Sequence, residues 1–210
     1  MKILLATHNQ AKLERYGKIL KSVPDLEVVS LSDLKITQKV EEDCETNIEN
    51  ALKKARTYGK ISGLITVAVD ESLMTNFLPE SEQPGVYARR LAKGGKELTD
   101  AQLLETWKEI FKKYPQEDRQ FIFNYALAYF NPENNAEGVE CAEGRGYVMD
   151  HFSEVETNGY PSSNFLSLTK GGLSYAEMDE KEREEHNLLI FADFIEKFKK
   201  WLGENSLELL

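Results

Sequence analysis

Residues 2–6, Lys-Ile-Leu-Leu-Ala, form a short apolar run that polar Thr7-His8-Asn9-Gln10 brings to an end, the pattern of a buried strand entering a turn. Leu13, Tyr16 and Leu20 then recur at helical spacing, and Pro24 closes that helix. A second short strand is expected over residues 26–31. Beyond the acidic stretch Glu41-Glu42-Asp43, Thr46 and Glu49 stand three apart ahead of apolar Ile48, Ala51, Leu52 and Ala55. That is a capping box opening a helix, which Gly63 ends after Ser62. Residues 64–69 are apolar and β-branched, so they predict a buried strand that delivers Asp70 and Glu71 at its C-terminal end.

Further along, Pro84-Gly85 punctuates the chain before a short helix expected at residues 86–91. Leu103, Leu104, Trp107, Ile110 and Phe111 mark an amphipathic helix. Residues 121–130 are dense in aromatics and predict a long strand buried on both faces, serving either core or interface; a partner strand is expected near 139–148. The last helix should carry Leu188, Phe191, Ile195, Phe198 and Trp201 on one face. No repeat, low-complexity segment or linker interrupts this pattern. The expectation is a single α/β domain over residues 1–210, with a mixed central sheet flanked by helices.

Composition narrows the class. With 41% hydrophobic and 30% charged residues the chain has the material for a packed core. A formal net charge of −10 argues against a nucleic-acid surface, which needs clustered Lys and Arg. A small anionic substrate remains compatible, because a few lysines and a divalent cation can reverse the local field in a cleft. The two cysteines, Cys44 and Cys141, form no C-x-x-C pair, so neither a zinc ribbon nor a disulfide framework is expected. The opening apolar run is too short for a signal peptide, and no stretch approaches the roughly 20 residues needed to span a bilayer. The expectation is a cytoplasmic protein without a membrane partner.

Four features carry candidate chemistry. The Thr7–Lys12 turn offers a hydroxyl, an amide, free N–H groups and an ammonium at the end of a strand, suited to phosphate oxygens. Glu41, Glu42 and Asp70 are carboxylates beside predicted elements, suited to an oxygen-ligated cation such as magnesium. Lys54 lies within the capped helix, and Lys181 and His186 lie five apart before the final helix. Each also has a plain reading: such turns are common, acidic runs are usually solvated loops, and a lone histidine is usually a surface or cap residue.

These features also follow one another as in a known family. Ala6-Thr7-His8-Asn9-Gln10-Ala11-Lys12 resembles the A-T-x-N-x-x-K opening of the inosine-triphosphate-pyrophosphatase family. Glu41-Glu42, Thr46, Glu49-Asn50-Ala51 and Lys54-Ala55 resemble its E-E-T-G-x-T-F-x-E-N-A-x-x-K-A block, the most specific of the matches. Ala68-Val69-Asp70-Glu71-Ser72-Leu73 is similar to A-D-D-S-G-L, and Pro84-Gly85-Val86-Tyr87 with Arg90 to P-G-x-Y-S-A-R. Glu177-Met178, Lys181 and His186 resemble the tail E-M…K-x-x-x-x-H.

The resemblance implies two lobes with the active-site cleft between them, and hydrolysis of nucleoside triphosphates to monophosphate and pyrophosphate, a house-cleaning of the nucleotide pool. It implies that Thr7, Asn9 and Lys12 hold the triphosphate, with Lys54 and Lys181 adding positive charge. Glu42 and Asp70 would hold magnesium, Asp70 would activate the attacking water, and His186 would bond the base. A homodimer is implied as well.

Several positions depart from the family pattern. Arg15 stands where a glutamate is frequent, Val69 replaces the first aspartate of D-D, and Glu71-Ser72 replaces S-G. Residues Asn158-Gly159-Tyr160-Pro161-Ser162-Ser163-Asn164-Phe165 barely keep the base loop, and S-H-R becomes Glu185-His186-Asn187. The expectation is a retained triphosphate half with altered base preference. The alternative is a catalytically impaired descendant acting as a nucleotide-binding or interaction protein.

Overall fold

The computed structural model describes residues 1–91, 95–115, 117–155, 157 and 159–206. Its elements alternate: β1 (Lys2–Leu5), α1 (Gln10–Lys21), β2 (Glu27–Ser30), α2 (Asn47–Ser62) and β3 (Ile65–Thr75). These are followed by α3 (Asp100–Lys113), β4 (Gln120–Phe130), β5 (Glu137–Val148), β6 (Leu166–Ser167), α4 (Glu180–Ile190) and α5 (Ala192–Asn205). The strands form one six-stranded sheet in the order β2-β1-β3-β4-β5-β6. β1 pairs in parallel with β2 and β3, while β5 and β6 are antiparallel, so the sheet is mixed as the sequence predicts.

The chain divides into two compact units. The first comprises residues 1–70, 125–142 and 184–210. Its core forms where α2 lays Ala51, Ala55 and Tyr58 against Leu4, Ala6, Ala68, Ala126, Ala128 and Phe130. Small residues on the helix let it approach closely: a Cβ on Gly59 would come within 2.7 Å of the Phe130 ring. On the other face of β4, Tyr125 meets Phe191 at 5.1 Å and Tyr129 meets Trp201 at 4.7 Å, ring to ring. Alternation along the strand therefore buries both faces of Tyr125–Phe130 within one chain, which makes this stretch core.

The second unit comprises residues 71–124 and 143–183. Its core is an aromatic cluster around Trp107, with Phe121 at 5.1 Å and Phe165 at 5.8 Å, joined by Phe77 and Phe111.

Three expectations about elements are corrected. β3 does not stop at Val69 but runs to Thr75, because Leu73 and Thr75 continue the buried alternation and Leu73 exchanges two 2.9 Å backbone bonds with Gly85. Residues 86–90 form successive turns rather than a helix. Gly85 at φ 52° and Leu91 at φ 53° bound the segment, leaving room for Leu91 N–H to reach Tyr87 O but not for a second turn. The final helix is two helices. Phe191, at φ −100° and ψ 15°, breaks the line, so Leu188 falls on α4 with 41% exposure, away from the buried face of α5.

α2 owes its start to a complete capping box. Thr46 Oγ1 accepts from Glu49 N–H at 3.1 Å while Glu49 returns a bond to Thr46 N–H at 3.2 Å. Gly63 ends the helix at φ 70°, where a side chain would be strained. Thr46→Ala should lower stability by about 1 kcal/mol, read as a lower denaturant midpoint at unchanged slope. An unaltered midpoint would show that the cap is dispensable.

Candidate active site

Asp70 sits within β3 rather than at its end, yet it lies beyond the reach of the parallel neighbour. β1 pairs with β3 only as far as Leu5 opposite Val67, with Ala6 N–H bonding Val67 O at 2.8 Å. The crevice past the carboxyl end of a parallel strand, where ligands bind in open α/β sheets, therefore opens at β1 while Asp70 continues alongside it. Here α2 delivers Lys54. Its ammonium donates to Glu42 Oε1 at 2.7 Å, Asp70 Oδ1 at 2.8 Å and Val69 O at 2.8 Å, so its three N–H groups each meet a protein oxygen. Lys54 and Asp70 side chains are 9% and 6% exposed, whereas Glu42 at 42% faces solvent.

Electrostatics divides the cluster unequally. Burial pushes the Asp70 carboxyl above its usual range, with Glu42 adding like-charge repulsion, while Lys54 and Lys12 pull it down. For Lys54, burial acts to lower the value, but the charges of Asp70 and Glu42 outweigh it and hold the ammonium protonated. One lysine with two acidic partners gains more than an aspartate whose neighbours include a second carboxylate.

The opening turn is built by its own side chains. Asn9 caps α1, its Oδ1 accepting from Ala11 N–H at 2.9 Å and Lys12 N–H at 3.1 Å, and Thr7 Oγ1 accepts from Asn9 N–H at 3.1 Å. The N–H groups expected to be free there are thus partly engaged in shaping the turn, which aims Lys12 so that its charge acts on Asp70. A cavity of about 560 Å³ flanks this turn, lined by Thr7, His8, Asn9, Ser30, Lys35 and others; it shares the turn but not Lys12, Lys54 or Asp70.

Of the residues singled out in the sequence, Thr7, Asn9, Lys12, Glu42, Lys54, Asp70 and His186 all belong to the first unit. Lys181 falls in the second, exposed in the first turn of α4. Of the base loop, Asn158 lies outside the described residues. Glu41 is exposed, and Asp43 bonds Lys53 instead. Val69 is buried and, by strand alternation, turns its side chain to the face opposite Asp70, contributing only its carbonyl to Lys54. Glu71 accepts from Tyr160 OH at 2.6 Å within the second unit.

Sequence reasoning passed over Asn50. Its amide donates to Asp70 Oδ2 at 3.3 Å while its Oδ1 accepts from Cys44 N–H at 3.1 Å. The signal was available: Asn50 stands four residues before Lys54, on the same helical face.

This geometry accompanies a match to the Ham1 family model over residues 3–192. The chain belongs to the Ham1 family. It is 31% identical over 205 residues to a dITP/XTP pyrophosphatase of Thermoanaerobacter pseudethanolicus, covering 96% of each chain. It is also 31% identical over 182 residues to one of Haemophilus influenzae, covering 87% of this chain and 90% of that one. Among solved structures it resembles a HAM1 protein from Coxiella burnetii at a TM-score of 0.72 and 25% identity, covering 97% and 99% of the two chains. A nucleoside-triphosphatase / dITP/XTP pyrophosphatase from Mycobacterium abscessus matches at a TM-score of 0.66 and 28% identity, covering 92% and 97%. The mixed sheet flanked by helices is thus a Ham1 fold.

Two outcomes follow for the Ham1 cluster. Lys54→Met strands a buried carboxylate and should cost about 3–5 kcal/mol of stability at neutral pH. Because the Asp70 carboxyl takes its proton more readily folded than unfolded, its contribution is greatest below about pH 4 and is lost as pH rises through the raised folded value. The stability of the parent relative to Asp70→Asn should therefore fall as pH rises above about pH 4, measured by denaturation at each pH. A difference independent of pH would refute the raised carboxyl.

Proposed function

We propose that this chain hydrolyses nucleoside triphosphates between the α and β phosphates, giving a nucleoside monophosphate and pyrophosphate, and so clears unwanted nucleotides from the pool. The observation that carries this reading is the buried Lys54 ammonium holding Asp70 and Glu42 together, with Lys12 acting on the same carboxylate. Curated relatives named dITP/XTP pyrophosphatase along nearly the whole chain support it.

In this reading Lys12 and the turn at Thr7 and Asn9 receive phosphate oxygens. Lys54 adds positive charge, but its engaged N–H groups make it chiefly the positioning residue for Asp70. Asp70, anchored by Lys54 on one oxygen and Asn50 on the other, takes the proton of a water whose oxygen attacks the α phosphorus, as the bond to the bridging oxygen breaks and pyrophosphate departs. A base with a raised carboxyl is better matched to that proton transfer than an ordinary aspartate.

Magnesium fits as a companion of the substrate. The cation is commonly held by one or two carboxylates together with substrate phosphates. Glu42 and Asp70 are such a donor set, while among the described residues no three His, Cys, Asp or Glu side chains are grouped to hold a metal. When bound it would neutralise developing charge on the phosphates. Lys181 is proposed to add charge to the phosphate site, and His186 to contact the base. A cytoplasmic homodimer completes the reading; both cysteines are free thiols, in keeping with a reducing compartment.

The test is pyrophosphate release from a panel of ITP, XTP, dUTP, GTP and ATP with magnesium. Turnover should rise toward alkaline pH, where the attacking water is easier to deprotonate, and Asp70→Asn should reduce it by about 10²–10⁴-fold. Undiminished turnover in Asp70→Asn would refute the assigned base. A parent that binds these nucleotides without cleaving them would favour the impaired descendant.

A further inference from the structure

Asn50, Lys54 and Tyr58 follow one another at intervals of four residues on α2 and so share one face of the helix. Each reaches the same acidic segment. Asn50 Oδ1 accepts from Cys44 N–H at 3.1 Å, Lys54 Nζ donates to Glu42 Oε1 at 2.7 Å, and Tyr58 OH accepts from Val40 N–H at 3.3 Å. The partners step back by two residues each time the helix steps forward by four. The spacings agree, since four helical residues rise about 6 Å and two residues of stretched chain span about 7 Å. Residues 40–44 therefore run against the direction of α2, fastened before, at and after Glu42.

The Tyr58 hydroxyl is the most heavily used of these fastenings. It donates to Gln38 O at 2.9 Å while accepting from Val40 N–H. His8 Nε2, from the opening turn, lies 3.2 Å from the hydroxyl and 3.1 Å from Gln38 O, and with its proton on Nε2 it donates to both oxygens. A hydroxyl has one donor and two acceptor sites, and all are taken. The ring below it is 2% exposed and packs in the core with Ala51, Ala55 and Phe130. A group committed in this way holds its neighbours rather than reacting.

The ion pair between Lys54 and Glu42 fixes a distance but not a direction, because an ammonium is a point charge on a flexible stem. Direction comes from the backbone on either side of the glutamate. The geometry points to Tyr58 as a positioning residue for Glu42: its hydroxyl fixes the segment ahead of the glutamate and so holds the carboxylate in one orientation for a divalent cation. This rests on the assignment of Glu42 to the cation in the reading above, and extends it to the residue that orients the ligand.

Tyr58→Phe keeps the ring and its packing and removes only the hydroxyl. Manganese, standing in for magnesium, is titrated onto parent and variant, with affinity read from the electron paramagnetic resonance signal of the free ion. The magnesium dependence of pyrophosphate release from inosine triphosphate is measured alongside. Tyr58→Phe should weaken manganese affinity about tenfold, as expected for a residue that orients a metal ligand. It should raise the magnesium needed for half-maximal turnover by a similar factor, with kcat recovered at saturating magnesium. In a Glu42→Gln background the same change should have no further effect on affinity, whereas a merely structural Tyr58 would weaken both backgrounds equally. If Tyr58→Phe does not fold, Val40→Pro, which deletes the amide proton from the other side of the same bond, should give the same shift. A folded variant with the parent's manganese affinity overturns the inference, as does a parent that binds no manganese. A parent whose manganese affinity depends on Tyr58 through Glu42, but which releases no pyrophosphate, upholds the inference and overturns only the reaction.

Discussion

One ammonium group organises the first unit of this protein. Lys54 reaches from the middle of α2 into the sheet and satisfies three oxygens on two other segments. Without it, Asp70 would keep the Asn50 amide and the more distant charge of Lys12, and burial would push its carboxyl higher still. With it, lysine charge opposes the burial that raises the carboxyl, a condition between an inert salt bridge and an ordinary solvated acid. The rest of the unit serves that position. The alanine face of α2 brings the helix close enough for the lysine to reach, and the packing of Gly59 against Phe130 sets the separation.

Much of this was legible beforehand because it depends on local rules. The capping box at Thr46 and Glu49, the end at Gly63 and the buried runs at residues 2–6 and 121–130 are each determined by near neighbours, and each appears in place. What escaped depended on contacts distant in sequence. β3 looked finished at Val69 because acidic residues usually end a buried run, whereas its extension depends on Leu73 pairing with Gly85. The break at Phe191 follows from packing on Tyr16 and Tyr125, which no helical periodicity announces. Turns at residues 86–90 carry helix-compatible letters but lie between two left-handed residues.

The candidate site was legible as a list of residue types and less so as a set of roles. Lys54 was identifiable as a site lysine, but that its protons are all spent on protein oxygens is a fact of geometry. Asn9 was read as a phosphate ligand, and its side-chain carbonyl also shapes the helix start. Val69, which stands in place of the first aspartate of the D-D pair, puts its side chain in the core and turns only its backbone to the lysine. Arg15 and Asn187 counted as separate mismatches until the fold joined them.

The stretch from Glu42 to Asn50 acts as a ruler. Cys44 N–H is pinned to Asn50, and Thr46 is locked to Glu49, so the acidic loop is measured off from the first turn of α2 instead of hanging loose from it. Its length is therefore as constrained as its chemistry: an added residue between Glu42 and Thr46 would carry the glutamate out of reach of the lysine while leaving every side chain of the cluster intact.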